Sequence, residues 1–349
     1  MTGSPGGPGA AGRPAQQGVL VVGCGLIGRR RARSATAHAG SRLCAVVDPD
    51  PAASAGLASG TCDVVADWQS ALLRPDIDVV VVATPNAWLA DVAVAALEAG
   101  KHVLMEKPMG RGLEEALRIA RAAEGSSGVL RIGFNHRHHP GIRQAAERVR
   151  SGALGPLITL RARYGHGGRP GLEREWRSDP VQAGGGELLD QGVHLADLFH
   201  WLAGMPDEVF AMTQTAVWPI APLEDNAYAL MRFGGGAVGQ WHVSMSQWKN
   251  LFSLEVHGEA GAVIVEGLGG SYGTERLAVV VRAFEGGRPA IEERSFDGED
   301  ASWDLEWEAF LRDIATGSMT ESHAGDGVAA MRIIEALYRS ARDGVVVRP

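Results

Sequence analysis

The chain has 349 residues, of which 45% are hydrophobic and 21% charged, a composition typical of a folded, soluble protein with room for two domains. Its formal net charge of −8 argues against nucleic-acid binding driven by bulk charge, and no apolar run approaches the length of a membrane span. The three cysteines, Cys24, Cys44 and Cys62, lack metal-ligand spacing, so neither a zinc site nor a disulfide framework is expected. We therefore expect the protein to lie in the reducing cytoplasm.

The first part of the chain alternates strand and helix signals. Residues 1–17 are rich in Gly, Pro and Ala and predict a disordered extension. Apolar runs at 19–23, 43–47, 64–66, 79–83, 102–105 and 130–134 predict strands, with helices between them such as 88–99, which ends at Gly100. Near-continuous apolar strands are typical of a parallel sheet buried on both faces. We therefore expect a doubly wound α/β (Rossmann) domain over residues 18–135.

A dinucleotide-binding fingerprint follows the first strand. It reads Gly23-Cys24-Gly25-Leu26-Ile27-Gly28, and Asp48 ends the next apolar run twenty residues after Gly28. In this motif the glycines permit a tight turn, close approach of a pyrophosphate and close helix packing, while the helix N-terminus offers N–H groups to the phosphates. The pattern predicts a bound nicotinamide dinucleotide.

Asp48 bears on which dinucleotide is bound. A carboxylate there accepts both ribose hydroxyls of NAD and repels the 2′-phosphate of NADP, so NAD is favoured and NADP is the less expected cofactor. An Asp before Pro49 also forms turns, and the two roles are compatible. Arg29, Arg30 and Arg31 lie on the first predicted helix and are expected to form a solvated basic face.

After Pro140 the pattern changes. A helix at 140–151 precedes a strand at 157–164, a polar loop at 165–183 and a long helix at 187–202. Further strands are predicted at 208–217, 225–233, 237–246, 252–257, 262–266, 278–284 and 291–295, and helices at 302–316 and 326–342. We expect an α+β substrate and oligomerisation domain over 136–349, with a large open, mostly antiparallel sheet and the last helix free to pack back on the first domain.

Two polar segments follow strands of the first sheet. Glu106-Lys107-Pro108 follows the fifth strand and Thr84-Pro85-Asn86 the fourth. Ligands of parallel sheets bind outside the carboxyl ends of the strands, so Lys107 is predicted to point into the cofactor crevice. Only 3 of the 33 basic residues are lysine. The alternative is a surface lysine at a strand end.

The segment from Gly184-Gly185-Gly186 to His194 carries a second candidate pair. Asp190 and His194 are four residues apart on a predicted helix and so share one face. A carboxylate one turn from an imidazole is able to orient the ring and stabilise its protonated form. A helix cap or surface pair is the structural alternative, and a metal site is disfavoured because a third ligand is lacking.

In order, the GxGxxG turn, the acid, Thr-Pro-Asn, Glu-Lys-Pro, Gly-Phe-Asn-His-Arg and Gly-Gly-Gly-x-Leu-Leu-Asp-x-Gly-x-His resemble the glucose–fructose oxidoreductase / inositol dehydrogenase / rhizopine-catabolism (Gfo/Idh/MocA) family. The resemblance implies NAD-dependent chemistry on sugars and cyclitols with Lys107, Asp190 and His194 as the catalytic set. One departure is Trp88, where many members carry His. The resemblance also implies a homodimer or homotetramer formed through the open sheet.

The candidate binding residues fall into two groups. The fingerprint and the resemblance together assign the cofactor side to Gly23, Gly25, Leu26, Ile27, Gly28, Asp48, Thr84, Pro85, Asn86, Glu106, Lys107, Asn135, Trp176 and Arg177. The substrate side is assigned to Lys107, His166, Asp190, His194 and Trp248.

The kind of sugar stays open at this point. The segment 161–177 holds Arg161, Arg163, Arg169, Arg174 and Arg177 against two glutamates, which favours either a nucleotide-sugar diphosphate or a solvated loop. The acids Glu224-Asp225 and 297–300 could instead meet a cationic amino sugar, as in aminoglycoside assembly. Trp241, Trp248 and Tyr272 are candidates for stacking on a sugar ring, with core or subunit contact as the alternative.

The leading hypothesis is a dehydrogenase that oxidises a secondary ring hydroxyl to a ketone. The alternatives are a reductase of a keto-sugar, a glycosidase in which bound NAD cycles internally, and a non-catalytic sugar sensor. The presence of both the lysine and the histidine counts against the sensor.

Overall fold

The computed structural model describes residues 16–57 and 62–349. The prediction of a disordered extension therefore falls almost entirely outside the described residues, and Gln17, its last residue, already belongs to the first strand.

The first half of the chain forms a six-stranded parallel sheet in the order β3-β2-β1-β4-β5-β6. Its strands are β1 (Gln17–Val22), β2 (Ser41–Val47), β3 (Asp63–Val64), β4 (Val79–Val82), β5 (His102–Glu106) and β6 (Leu130–Gly133). All four valines of β4 are buried, as expected for a strand covered on both faces. The strand order reverses between β1 and β4, and ligands of such sheets bind in the crevice at this point.

Helices cover both faces of this sheet. They are α1 (Leu26–Ala37), α2 (Pro51–Ala55), α3 (Trp68–Leu72), α4 (Asn86–Glu98) and α5 (Leu113–Glu124). The helix predicted at 88–99 begins two residues earlier, at Asn86, and Gly100 follows its end with a φ of 72°. The short helices α2 and α3 are not individually predicted from the sequence, although the side chains of Asp50 and Asp67 cap them.

The second half forms an eight-stranded sheet in the order β14-β13-β12-β11-β7-β10-β9-β8. Its strands are β7 (Leu157–Gly165), β8 (Pro206–Gln214), β9 (Asn226–Phe233), β10 (Val238–Ser244), β11 (Leu251–Gly258), β12 (Gly261–Glu266), β13 (Glu275–Val281) and β14 (Ala290–Phe296). Every pairing is antiparallel except that of β7 with β10. The predicted fold class is confirmed.

The remaining helices are α6 (Pro140–Arg150), α7 (Pro180–Ala183), α8 (Glu187–Asp190), α9 (Gly192–Ala203), α10 (Ser302–Thr316) and α11 (Ala324–Asp343). The single helix predicted at 187–202 is therefore wrong, because the chain tightens at Gln191 and the His194 N–H donates to its carbonyl, three residues back. Nine of the twelve residues of α9 are buried.

The last two helices reach both halves of the molecule. Helix α11 packs against α5 of the first half and against α9 and β8 of the second, and α10 packs against α1. In the part of the chain that the structure describes, no helix combines the length and apolar character that crossing a membrane requires.

The expectation of a solvated basic face on α1 is wrong for Arg31, whereas Arg29 is exposed. Arg31 is fully buried, and its guanidinium lies 2.6 Å from a carboxylate oxygen of Glu106 and 2.6 Å from one of Glu306. It also lies over the ring of Trp303, 4.5 Å from the centroid. The sequence pattern of α1 does not predict this burial, because helix α10 packs over α1 and covers residues that would otherwise face solvent.

Candidate active site

The glycine turn after β1 has the shape that a dinucleotide needs. A side chain at Gly23 would meet the Ala83 carbonyl oxygen at 2.4 Å, and one at Gly28 would meet the Gly23 carbonyl oxygen at 1.8 Å. Gly25, in contrast, has open space beside it, with no atom within 4 Å of the position a Cβ would take. No side chain caps the N-terminus of α1, which begins at Leu26 and Ile27. Its N–H groups and the open space fit a pyrophosphate.

Asp48 lies at the end of β2 beside this turn. Its Oδ2 accepts the N–H of Cys24 at 2.6 Å, and its Oδ1 accepts the N–H of Asp50 at 2.9 Å. The turn-forming role is thus present, and the carboxylate is held where the fingerprint places the adenosine ribose.

Three side chains predicted on the cofactor side bind other parts of the protein. The amide of Asn86 donates to the carbonyl of Ala183 at 2.8 Å, which ties α4 to α7. Likewise the amide of Asn135 donates to the Ser302 hydroxyl at 3.0 Å, and the carboxylate of Glu106 accepts from Arg31. Cofactor contacts of these residues, and of Thr84 and Pro85, stay predictions. Trp88, the departure from the family pattern, is 56% exposed.

Lys107 and Asp190 meet across the two halves of the molecule. The Lys107 Nζ donates to Asp190 Oδ1 at 2.7 Å and to the Asp190 carbonyl oxygen at 2.6 Å. Arg177 approaches the other carboxylate oxygen at 3.3 Å and stacks on the ring of Trp176 at 4.4 Å. Burial alone would raise the pKa of Asp190, but the charges of Lys107 and Arg177 outweigh it and hold that pKa below its ordinary value. Asp190 is therefore an anion that fixes the ammonium.

His194 does not have the partner that the sequence predicts. In the described residues no hydrogen bond joins it to Asp190, and its buried Nδ1 has no partner. Its ring stacks on that of His136, with centroids 3.8 Å apart and planes 28° apart. Burial, reinforced by the charges of Lys107 and His139, holds the pKa of His194 well below its ordinary value. The imidazole is therefore neutral and able to accept a proton.

Sequence reasoning missed two buried residues near this pair. His136 comes from the single-turn helix Asn135–His138, where the run of histidines was the available signal. Glu187 is fully buried, and neither of its carboxylate oxygens has a hydrogen-bond partner among the described residues. Burial, together with the charge of Asp190, raises the pKa of Glu187 well above its ordinary value and so favours its neutral, protonated form.

The predicted substrate residues outside this centre differ in exposure. His166 is partly buried, and its Nδ1 accepts the N–H of Gly168 at 3.0 Å. Burial lowers the pKa of His166, and the opposing effect of the Asp190 charge offsets only part of this decrease. Trp248 is 69% exposed and adopts a positive φ of 56°, a conformation that is rare for a side chain of this size. Substrate contacts of both residues stay predictions.

The arginine-rich segment is not a free cationic surface. Arg161 and Arg163 lie on the outer face of the second sheet, beside Glu255 and Ser253 respectively. Arg169 pairs with Glu175 and Arg174 with Glu173. Of the five arginines, Arg177 is the one that contacts the Lys107–Asp190 pair.

Three of the acids in the two predicted clusters have hydrogen-bond donors within the protein. Glu224 accepts from the Leu188 N–H and the Tyr338 hydroxyl, at 2.9 and 2.8 Å. Asp225 accepts from three consecutive N–H groups at 216–218. Asp300 accepts from Trp303 Nε1 and from the N–H of Ser302, at the start of α10. The carboxylates of Asp297 and Glu299 are exposed, and their contact with a cationic sugar stays a prediction.

Two of the aromatic candidates pack against other aromatic rings. Trp241 is buried against Phe199, with ring centroids 5.3 Å apart. Tyr272 packs on Tyr164 at 5.1 Å. Across residues 16–57 and 62–349 no three His, Cys, Asp or Glu side chains come together in a way that could hold a metal ion.

A two-domain, nicotinamide-dependent oxidoreductase is the class that this fold and site define. Residues 17–134 match the family model described as the oxidoreductase family with an NAD-binding Rossmann fold, and residues 142–264 match the GFO/IDH/MocA C-terminal domain. The chain belongs to the GFO/IDH/MocA oxidoreductase family, and NAD is the cofactor of its first domain. The predictions of family, enzyme class and cofactor are confirmed.

Individual relatives show the range of the family. The chain is 30% identical over 250 residues to levoglucosan dehydrogenase of Pseudarthrobacter phenanthrenivorans; the match covers 64% of each chain, slightly less than two thirds of that enzyme. It is 27% identical to inositol 2-dehydrogenase 2 of Saccharopolyspora erythraea over 93% of each chain. The crystal structure of GenD2 from gentamicin A biosynthesis, in complex with NAD, superposes with a TM-score of 0.83 and 28% identity, over 98% of this chain and 99% of that one.

Proposed function

We propose that this protein oxidises a secondary ring hydroxyl of a sugar or cyclitol to a ketone. The observation that carries the proposal is the contact between Lys107 of the first domain and Asp190 of the second. Four residues after Asp190, the second domain also supplies the imidazole of His194. NAD bound at the glycine turn supplies the hydride acceptor. The residues that hold it are the turn itself, Asp48 at the ribose, and the backbone of the two strand ends at 84–86 and 106–107.

Lys107 acts on the reacting oxygen. An ammonium has three N–H donors, and Asp190 takes two of them through its carboxylate and its carbonyl. The third N–H has no partner among the described residues, so it can bind the substrate hydroxyl and stabilise the negative charge that develops on that oxygen. Asp190 keeps the ammonium in place.

His194 acts as the base. It accepts the proton of the hydroxyl group while a hydride leaves the carbon that bears this group. The substrate thus loses one proton and one hydride and becomes a ketone. A positioned base contributes on the order of 10²- to 10⁴-fold to the rate. The reverse reaction uses the same residues with the proton returned from His194, which makes reduction of a keto-sugar the alternative direction.

The charge distribution favours an uncharged substrate. The arginines that would bind a diphosphate are paired with acids or lie on the outer sheet face, and Glu224, Asp225 and Asp300 accept hydrogen bonds from within the protein. A neutral polyol is therefore the first candidate. A second candidate is an amino sugar in an aminoglycoside, as suggested by the extent of the match to GenD2, which is described from gentamicin A biosynthesis.

We infer that the outer face of the second sheet is covered by a second copy of the chain. This face exposes Met212, Tyr228 and Leu230 around a groove of about 430 Å³. An apolar patch of this kind on one face of an open sheet is typical of an oligomer interface. The three cysteines are free thiols, which supports a cytoplasmic location.

The direct test follows the near-ultraviolet absorbance of NADH during incubation with NAD and four substrate classes: free sugars, cyclitols, nucleotide sugars and aminoglycosides. The proposal predicts NADH release with a member of the first two classes. Release only with an aminoglycoside selects the second candidate. Cleavage of a glycoside without net NADH release, or no turnover in either direction with any class, contradicts it.

A further inference from the structure

We propose that His136 is a positioning residue for His194: its ring is the stacking support that holds the base in its working orientation. This inference rests on the proposed function, in which His194 accepts the substrate proton. His136 lies outside the Gly-Gly-Gly to His194 segment and comes from a different part of the chain.

The stack is the contact that orients His194. The two ring centroids lie 3.8 Å apart with planes inclined by 28°, which is close to parallel stacking. A catalytic imidazole is ordinarily oriented by a hydrogen bond from its second nitrogen to a carboxylate or carbonyl. Among the described residues the Nδ1 of His194 has no such partner, and Asp190 is engaged by Lys107 and Arg177.

His136 is itself held in place. The hydroxyl of Tyr164 lies 3.4 Å from its Nε2. The rings of Tyr164, Phe252 and His139 meet it edge-on, with centroids 5.1, 5.8 and 5.9 Å away. The supporting ring is thus fixed from the second sheet and from its own turn, so it is a rigid surface for the base.

A buried ion pair links the turn that carries His136 to the helix that carries His194. The guanidinium of Arg137 donates to both carboxylate oxygens of Asp197, at 2.8 and 2.5 Å, and all these side chains are buried. Arg137 follows His136 directly, and Asp197 lies three residues after His194 on α9. A bidentate pair fixes distance and orientation together, so the turn and the helix cannot slide past each other without breaking it.

Burial, reinforced by the charges around the stack, lowers the pKa of both rings. Lys107, His139, His136 and Tyr164 face His194, and Asp190 lies one turn earlier on the chain. Burial and the charges of His194, His139 and Lys107 hold the pKa of His136 well below its ordinary value. Loss of the His136 ring would open this space to water, which would weaken the desolvation of His194 and raise its pKa.

The experiment compares His136→Ala, which removes the ring, with His136→Phe, which keeps a stacking surface. His102→Asn is the matched control, because His102 lies at the start of β5, at the opposite end from Lys107, and Asn retains an acceptor for the Val129 N–H. Three quantities are measured on the full chain: kcat against pH, with levoglucosan and myo-inositol as probes, the KM for NAD, and the pKa of His194 by NMR of histidine-labelled protein.

We expect His136→Ala to lower kcat about 10- to 100-fold, a part of what a positioned base supplies, while the KM for NAD changes less than about 2-fold. The acidic limb of the kcat–pH profile of this variant and the NMR titration of its His194 should both move to higher pH. His136→Phe should stay close to the unmodified enzyme in both. An unmoved His194 pKa in His136→Ala, or an equal loss in the Phe variant, overturns the inference.

The two hypotheses fail separately. If His194→Ala abolishes turnover while His136→Ala does not move the titration of His194, the base is right and its support is wrong. If His194→Ala is as active as the unmodified enzyme, the proposed function itself is wrong, and the NMR titration still reports on the stack.

Discussion

The ammonium of Lys107 lies 2.7 Å from the carboxylate of Asp190, and this contact joins the end of β5 in the first domain to the end of α8 in the second. After burial, the charge of Lys107 is the next cause that lowers the pKa of His194, so the ammonium and the proposed base belong to the same site. The contact therefore ties the two domains together at the candidate site.

Arg31 is predicted to hold the Glu106-Lys107 segment from behind. Replacing Arg31 by Met leaves the buried carboxylates of Glu106 and Glu306 without a cation, which should lower the free energy of unfolding by about 3–5 kcal/mol. Urea unfolding measures this change. Arg33→Met, on the exposed side of the same helix, is the control and should stay within about 0.5 kcal/mol of the unmodified protein. Equal stability of the two variants would contradict the buried role.

Glu187 predicts a pH dependence of stability. Its pKa is raised in the folded protein, so above the ordinary glutamate pKa the folded state binds more protons than the unfolded state and stability falls as pH rises. Glu187→Gln removes this pH-dependent loss. The free energy of unfolding of the variant, relative to that of the unmodified protein, should therefore increase with pH by at most about 1.4 kcal/mol per pH unit. Unfolding free energies at a series of pH values test it, with the exposed Glu98→Gln as control. A difference that is flat with pH would refute the neutral acid.

Asp48 is predicted to select NAD. Asp48→Asn keeps an acceptor for the Cys24 N–H but removes the charge, so NAD should bind about tenfold more weakly and the discrimination against NADP should shrink. Fluorescence titration with both dinucleotides gives the ratio of dissociation constants. Asp50→Asn, which keeps the cap of α2, should leave this ratio unchanged. An unchanged ratio in Asp48→Asn would show that selection lies elsewhere.

The outer sheet face predicts an oligomer that a single charge disrupts. Leu230→Arg places a guanidinium in the apolar face and should shift the sedimentation of the protein toward the monomer. Leu73→Arg, at a position that is 84% exposed on the first domain, is the matched control. A monomeric unmodified protein, or identical sedimentation of the two variants, would rule out this interface.

The sequence was informative where a local pattern has one structural solution. The spacing of Gly23, Gly25 and Gly28 after an apolar run leaves little but a phosphate-binding turn, and every predicted strand is present with ends shifted by three residues or fewer. The position of Lys107 also followed, because the carboxyl ends of parallel strands meet at one edge.

Contacts between distant segments were not predictable in this way. The spacing of Asp190 and His194 predicts a shared helix face. It does not predict that the Asp190 carboxylate contacts Lys107 and Arg177 instead of His194. Likewise the helix pattern of α1 does not reveal that α10 returns to cover Arg31. His136 was missed because a buried run of histidines has many structural uses, and only the packed fold shows which ring meets the base.

The central claim is that Lys107 and His194 act together on one hydroxyl. Its most direct test is the rate of NADH formation by Lys107→Ala and His194→Ala, loaded with NAD and mixed with the sugar or cyclitol that the unmodified enzyme oxidises fastest. We expect each variant to bind NAD normally and to lose about 10²- to 10⁴-fold in rate. A rate near that of the unmodified enzyme in either variant would contradict the account.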